Sequence, residues 1–330
     1  MKILYLPNQY SQQRQHEKKR WIYPVRMAME AEYYRKRGHT VMWKNPIHRD
    51  KLCSWDRAVY KAEGLPFLSL PVPDRTFTKA KDKRYQQNGN FKYRPGTYIQ
   101  VANGCWHGKC TFCVERNNKW EVRPVTDVVN EIVDCAAMGF REVFDDSGTF
   151  PTGKWLDDFL VALNKKFCKQ LWNIRLGCNM RMVDVDYMGM AQAGFRMVLF
   201  GLESANQKTL DKINKEVQVD DHKYIIKAAK AGLEPHIAVM FGYPWETDDD
   251  ALRTLRLVHW LLKKGFAKTA QASFFNERVR GSNEQHRKFV GKIYGAAYSP
   301  TFWLTKLRDI HDLDDLKYLW RMIKEGISNA

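Results

Sequence analysis

The sequence predicts an α/β fold: a partial (βα)6 barrel over residues 97–280, a short βαβ-like N-terminal region at 1–96, and a C-terminal helical extension at 281–330. Three observations lead there. From residue 97, short apolar runs alternate with helix-period segments, the pattern of a parallel sheet with crossover helices. Residues 1–43 show one such alternation and residues 64–96 lose it, being Pro-rich, basic and irregular. No internal repeat or low-complexity tract competes with this reading.

Met1 to Leu6 reads as a strand, Pro24 to Arg37 as a helix, and Thr40 to Trp43, after Gly38, as a second strand. The barrel strands are expected at Thr97–Ala102, Glu142–Asp145, Asn173–Cys178, Arg196–Gly201, His236–Phe241 and Thr269–Phe275. Between them, Asp127–Met138 carries Val128, Val129, Ile132, Val133 and Ala136 on one face, with Thr126 expected as its N-cap. Further helices fit Lys154–Lys169, Val185–Ala193, Asp220–Ala231 and Asp248–Lys264, the last capped by Thr247. A final helix, Asp312–Lys324, is expected to close the open side of the barrel.

The 330 residues are 44% hydrophobic and 13% aromatic, normal for a globular chain with one large core or two domains. No apolar run approaches the roughly 18 residues that span a bilayer, and the Ile3 to Pro7 stretch is too short for a secretory core, so a cytoplasmic protein is expected. The net charge of +17 is uneven: residues 1–100 hold 21 Lys and Arg against 8 Asp and Glu. Runs at Lys18 to Arg20, Arg35 to Arg37 and Lys79 to Arg84 would attract phosphate-rich partners. Trp21, Tyr23, Trp43, Phe77, Tyr85, Phe91 and Tyr93 lie among them, as in surfaces that stack bases. Charge alone leaves two readings open, a DNA- or RNA-binding surface and a solvated basic face with aromatics in the core.

Cys105, Cys110 and Cys113, spaced Cx4Cx2C after an apolar strand and an Asn-Gly turn, put three thiolates on one loop at a strand's end. That reads as an iron–sulfur site: three thiolates hold three corners of a [4Fe–4S] cluster and leave one iron for an outside ligand. Zinc on Cys105, His107, Cys110 and Cys113 is the competing reading, but structural zinc sites pair two ligand clusters and no second CxxC or HxxxH occurs. Cys53, Cys135, Cys168 and Cys178 are scattered and read as ordinary buried thiols.

Segments around Gly104-Cys105, Cys110 to Cys113, Phe200 to Ser204 and Gly242 to Thr247 resemble, in order and separation, the radical S-adenosylmethionine (SAM) superfamily, especially the branch that often carries a cobalamin-binding domain. The resemblance covers about residues 97–280. One feature departs from it: the usual spacing is Cx3Cx2C, and here one more residue occupies the first gap, where it can loop out. The N-terminal βαβ start resembles the first unit of the cobalamin domain, but its Asp-x-His-x-x-Gly motif is absent at His16, His39 and His48, so cobalamin is not expected.

The resemblance implies a [4Fe–4S] cluster on Cys105, Cys110 and Cys113 and SAM at the strand C-terminal ends, where barrels of this kind gather reacting groups. Phe112 would lie against adenine. Asp146, Ser147, Gly148 and Thr149 are similar to the stretch that receives the methionine ammonium, with a plain turn as the alternative. Asn179 and Arg181 suit a ribose or carboxylate; Glu203 and Ser204 lie at a strand end that also contacts SAM, where Glu203 would accept from the ribose hydroxyls or the ammonium, and Lys215 matches a basic position that meets the SAM carboxylate, with a helix-end lysine as the alternative. Gly242 permits close backbone approach, and Asp145, Tyr243, Trp245, Asn276 and Arg278 are candidates to line the substrate pocket.

The implied chemistry is reductive cleavage of SAM to a 5′-deoxyadenosyl radical that abstracts hydrogen from substrate, fed by a reductant such as flavodoxin or ferredoxin. The basic N-terminal region suggests a nucleic-acid substrate: tRNA or DNA modification, including rearrangement of an amino acid attached to thymine in phage DNA. A small metabolite or peptide substrate is the second reading. A noncatalytic zinc or nucleic-acid-binding module is the third.

Overall fold

The computed structural model describes residues 1–5, 23–43, 57–59, 62–83, 85–87, 91–166, 173–275 and 284–329. Near the N-terminus, β1 (Lys2–Tyr5), α1 (Val25–Arg35) and β2 (Thr40–Trp43) form the expected unit, with β1 and β2 parallel. A third strand, β3 (Arg57–Val59), pairs parallel to the other edge of β1, giving the order β2-β1-β3. Sequence reasoning missed it because three residues carry no period.

The second sheet is the barrel. β4 (Gly96–Ile99), β7 (Glu142–Asp145), β8 (Arg175–Met180), β9 (Phe195–Glu203), β10 (Glu234–Phe241) and β11 (Thr269–Phe274) lie side by side in sequence order, all parallel. This is a curled parallel half-barrel. Helices cross over between strands: α2 (Val125–Ala137), α3 (Lys154–Lys166), α4 (Tyr187–Gln192), α5 (Gln207–Lys212), α6 (His222–Lys230) and α7 (Asp248–Lys263). α2 presses Val128, Val129, Ile132 and Cys135 into the core, as its spacing requires.

Two local expectations fail. The first barrel strand stops at Ile99, because the amides of Val101 and Ala102 turn to donate to Asp145 and Ser147 rather than to a neighbouring strand. The chain then makes a separate two-residue ladder, β5 (Ala102–Asn103) with β6 (Glu121–Val122), which closes the base of the cysteine loop. Thr126 does not cap α2: the helix starts at Val125 behind Pro124, so Thr126 is already inside its first turn. Thr247 does cap α7, accepting from the Asp250 amide in a capping box.

The final helix, α10 (Leu313–Asn329), is not at the open side. With α9 (Pro300–Arg308) it closes the barrel floor, the end where the strands begin. Asp314 pairs with Arg141 at 2.7 Å, Asp315 with Lys92, and Asp309 with Lys268. Those partners continue inward: Lys92 meets Glu234 at 2.8 Å, and Arg196 meets Glu142 at 2.5 Å and Glu234 at 2.6 Å. Burial alone would raise the Glu234 carboxyl, but Arg196 and Lys92 overcome it and hold its pKa at about 2. The flank of β11 is met instead by α8 (Arg287–Lys292) and the 3-10 segment Ile293–Tyr298.

The basic N-terminal region carries its aromatics inside. Tyr23, Tyr85 and Phe91 are fully buried and Trp43 nearly so, with Tyr5 stacked on Trp43 and Tyr23 edge-on to Tyr85. This overturns their reading as base-stacking surface; Trp21 lies outside the described residues. The half-buried Phe77 is covered by the Arg35 guanidinium at 4.3 Å. Lys36, Arg37, Lys79, Lys81 and Lys83 are exposed, while Lys18 to Arg20 and Arg84 lie outside the described residues. Buried Arg75 joins this region to the barrel through Glu131 of α2 at 2.5 Å, and Arg123 pairs with the same carboxylate from its other side.

Candidate active site at the strand C-terminal ends

The cysteine loop leaves β5, runs through Cys105, Cys110 and Cys113, and returns along β6. All three cysteines are free; Cys110 is buried and the other two are half-buried. Burial pushes the Cys110 thiol up while Lys215 and Arg181 pull it down, so two cations already face the position where a thiolate would form. Burial raises Cys113 as well, and neighbouring thiols add to the rise, Cys105 acting on Cys113 and Cys113 on Cys110.

After β7, Asp145 and Ser147 build the wall beside this loop. Asp145 Oδ1 accepts from the Val101 amide at 2.9 Å and the Ser147 hydroxyl at 2.7 Å, while its Oδ2 is buried without a partner among the described residues. Burial raises the Asp145 pKa to about 7. Asp146 is exposed, and partial loss of hydration together with repulsion from Glu115 raises its pKa. Thr149 buries a hydroxyl with no partner among the described residues. Asn179, on β8, donates to the Ser147 carbonyl at 3.0 Å.

Strand β9 ends at Glu203, a non-glycine residue at φ 61°. Such a conformation costs of order 1–3 kcal/mol and persists where surroundings hold it. Here the holding group is Lys215, whose Nζ lies 3.0 Å from Glu203 Oε1 with both side chains 9% exposed. A Cβ on Gly201 would sit 2.5 Å from that carboxylate oxygen and 2.8 Å from the ammonium, so the pair occupies the space a side chain would need. Phe112 sits under Lys215 at 5.9 Å, and Arg181 lies over the Trp106 ring at 5.0 Å.

After β10, Gly242 turns at φ 91°, and a Cβ there would strike the Phe274 ring. Tyr243 is fully buried between Trp245, stacked at 5.6 Å, and Phe275 at 4.7 Å. Its hydroxyl has no partner among the described residues, and burial, with the charges of Glu203, Glu246 and Cys110 nearby, pushes its pKa well up.

Most sequence-chosen residues therefore gather on one rim: the three cysteines, Phe112, Asp145 to Thr149, Asn179, Arg181, Glu203, Lys215, Gly242, Tyr243 and Trp245. Ser204 stands apart. It is fully buried, and its hydroxyl joins Asn206 and Thr254 of α7. Asn276 and Arg278 lie outside the described residues. Sequence reasoning missed Glu246 and His286: Glu246 accepts from the Gly242 amide at 2.7 Å and meets His286 Nδ1 at 2.9 Å, a clasp on the Tyr243 turn. The forty-residue separation of that pair left no local signal.

Among the described residues no group of three His, Cys, Asp or Glu side chains is arranged to hold a single metal ion. Zinc gathers its thiolates around one point at about 2.3 Å. An iron–sulfur cubane instead spreads them over separate irons, which suits three soft donors strung along one loop with cations behind them. The donor set fits three corners of such a cluster.

The six-stranded parallel half-barrel thus carries a three-cysteine loop at the end of its first strand and a charged pair at the end of its fourth. Residues 99–258 match the Radical SAM superfamily model, and the chain carries a radical SAM domain. That family uses a [4Fe–4S] cluster and SAM. Over 184 residues the chain is 23% identical to threonylcarbamoyladenosine tRNA methylthiotransferase MtaB of Thermotoga maritima, covering 52% of this chain and 42% of that protein. It is 30% identical over 184 residues to tRNA-2-methylthio-N(6)-dimethylallyladenosine synthase of Maricaulis maris, covering 49% and 40%. The chain thus spans about two fifths of the length of these curated relatives. Among solved structures, the cobalamin-dependent SAM radical enzyme OxsB with aqua-cobalamin bound shares the fold at TM-score 0.50 and 14% identity, over 72% of this chain and 34% of that one. Among the described residues no helix is long and apolar enough to cross a membrane.

Proposed function

We propose that this chain cleaves SAM reductively and uses the resulting 5′-deoxyadenosyl radical to take hydrogen from a nucleic-acid base or a group attached to one, with tRNA as the first substrate to test. The observation that carries the reading is the buried Glu203–Lys215 pair next to Cys110, because a zwitterionic ligand taken from water needs both of its charges matched. Cys105, Cys110 and Cys113 would hold the [4Fe–4S] cluster, which when bound supplies the electron that breaks the sulfonium C–S bond. Lys215 would meet the SAM carboxylate and Glu203 its ammonium or ribose hydroxyls, each releasing the other. Phe112 offers adenine an apolar face, and the stacked Tyr243 and Trp245 exclude water from the radical's path. Buried Asp145, its pKa raised to about 7, would present a hydrogen-bond donor below that pH.

The tRNA choice is supported by the two curated relatives described above, both named for tRNA modification. Domain boundaries near residues 96 and 280 belong to the same proposal. A second reading, a small-molecule substrate, is favoured by one observation: Tyr23, Trp43, Tyr85 and Phe91 face inward and leave no stacking platform of their own. Anaerobic incubation with dithionite, SAM and tRNA or DNA, followed by mass analysis of digested nucleosides, decides between them. A new nucleoside mass supports the proposal; 5′-deoxyadenosine formation with unmodified nucleic acids moves the small-molecule reading ahead.

A further inference from the structure

Between α5 and α6, the segment Ile213 to Glu216 gives up four successive backbone carbonyls to neighbouring segments. Ile213 accepts from the Thr111 amide at 3.0 Å, Asn214 from His107 Nε2 at 2.8 Å, and Lys215 and Glu216 from Arg181 Nη2 at 2.5 and 3.3 Å. Two of these donors belong to the cysteine loop and the third to the residue after β8. Asn214 and Glu216 are left-handed, at φ 54° and 50°, on either side of Lys215. Neither is glycine, so this conformation is uphill and its anchors hold it.

His107 is the anchor that the cysteine loop builds specially. A carbonyl can only accept, so His107 carries its proton on Nε2 and donates to Asn214. The ring is buried, with Nδ1 3.5 Å from Glu216 Oε2. Directly after it, Gly108 turns at φ 60° and its carbonyl takes the Asn117 amide at 3.1 Å, folding the loop back on itself. The four-residue gap between Cys105 and Cys110 holds both the inward-facing ring and the turn that follows it. Lys109, the last residue of the gap, reaches back to Glu216 at 3.0 Å.

We propose that His107 is a positioning residue: it locks the cysteine loop to the Lys215 segment, so that the charged group meeting SAM is held in register with the cluster, and the longer first gap of this chain exists to seat it. The inference rests on the radical SAM reading. The test uses the full chain, reconstituted anaerobically, as His107→Ala and His107→Gln; the Gln amide can donate to Asn214 as the imidazole does. Iron content, the reduced-cluster EPR spectrum with and without SAM, and SAM affinity by equilibrium dialysis are measured. The Ala variant should keep its iron, lose up to about tenfold in SAM affinity and show a smaller SAM-induced spectral change, with Gln within about threefold of the parent, as one lost hydrogen bond predicts. Parental SAM affinity in an iron-replete Ala variant overturns the proposal, and so does a Gln variant as weak as Ala. If the Ala variant fails to load, hydrogen exchange at the Thr111 amide of the cluster-free proteins decides: exchange faster in Ala but not in Gln supports the lock, and equal exchange in all three overturns it. A parent that takes up no iron fails the radical SAM reading instead, while the exchange measurement still reports on the lock.

Discussion

Glu203 and Lys215 hold each other at 3.0 Å, from the end of β9 and from a left-handed loop twelve residues on, and both are nearly closed to solvent. Removing one partner strands the other charge in a poorly hydrated place, which costs about 3–5 kcal/mol. Glu203→Gln and Lys215→Met should each lower the unfolding midpoint clearly. The double variant should be more stable than either, since no unpaired charge remains. Additive losses in chemical denaturation would contradict this.

The same two positions should govern SAM binding. In reconstituted protein each single substitution should weaken SAM by about 1.5–3 kcal/mol, the worth of one charge-assisted contact, with iron content unchanged. Unaltered SAM affinity in both variants would return the pair to a purely structural role.

Iron loading tests the cysteines directly. Anaerobic reconstitution should give about four irons and four sulfides per chain. Cys110→Ala, which removes the buried ligand beside Lys215, should abolish most of that uptake. Stoichiometric zinc without iron or sulfide would defeat the assignment.

Asp145 should make stability fall with rising pH. Its folded pKa, about 7, lies above the ordinary 3.8, so the native state binds the extra proton: below about pH 4 both states are protonated and the group costs nothing. From there to pH 7 stability should decline with a slope approaching 1.4 kcal/mol per pH unit for this one group. Asp145→Asn should flatten that part of the profile. Denaturation curves of parent and variant that run parallel from pH 4 to 7 would show that Asp145 is not the source.

The exposed lysines of the N-terminal region carry the nucleic-acid prediction. Replacing Lys79, Lys81, Lys83 and Arg84 by Gln should lower tRNA or DNA affinity and flatten its dependence on salt, leaving SAM cleavage without substrate unaffected. Filter binding over a salt series reads both quantities, and a variant that binds as well as the parent would remove this surface from the proposal.

The barrel was legible because its strands are short apolar runs between amphipathic helices: Glu142–Asp145 was read to the residue, and β8 through β11 to within a few. What escaped depends on partners distant in sequence. The first strand ends early because Asp145, over forty residues away, takes the Val101 amide. His107 stood in the sequence only as a candidate zinc ligand, and its actual partner, the Asn214 carbonyl, is not encoded by any side chain. The inward turn of Tyr23, Tyr85 and Phe91 was likewise invisible, because basic residues crowd around aromatics on a stacking surface and on a solvated rim over a core alike.

The floor of the barrel bears on how the protein is made. Arg141 waits for Asp314, 173 residues away, and the carbonyl of Lys92 for Arg321, 229 residues away. During synthesis the strands emerge in spatial order, each able to dock on its predecessor, while Glu142, Arg196 and Glu234 stay open to water from below until residues 309–321 leave the ribosome. A chain stalled before that point would hold a nearly complete half-barrel with an unsealed charged base, the form most exposed to chaperones and proteases.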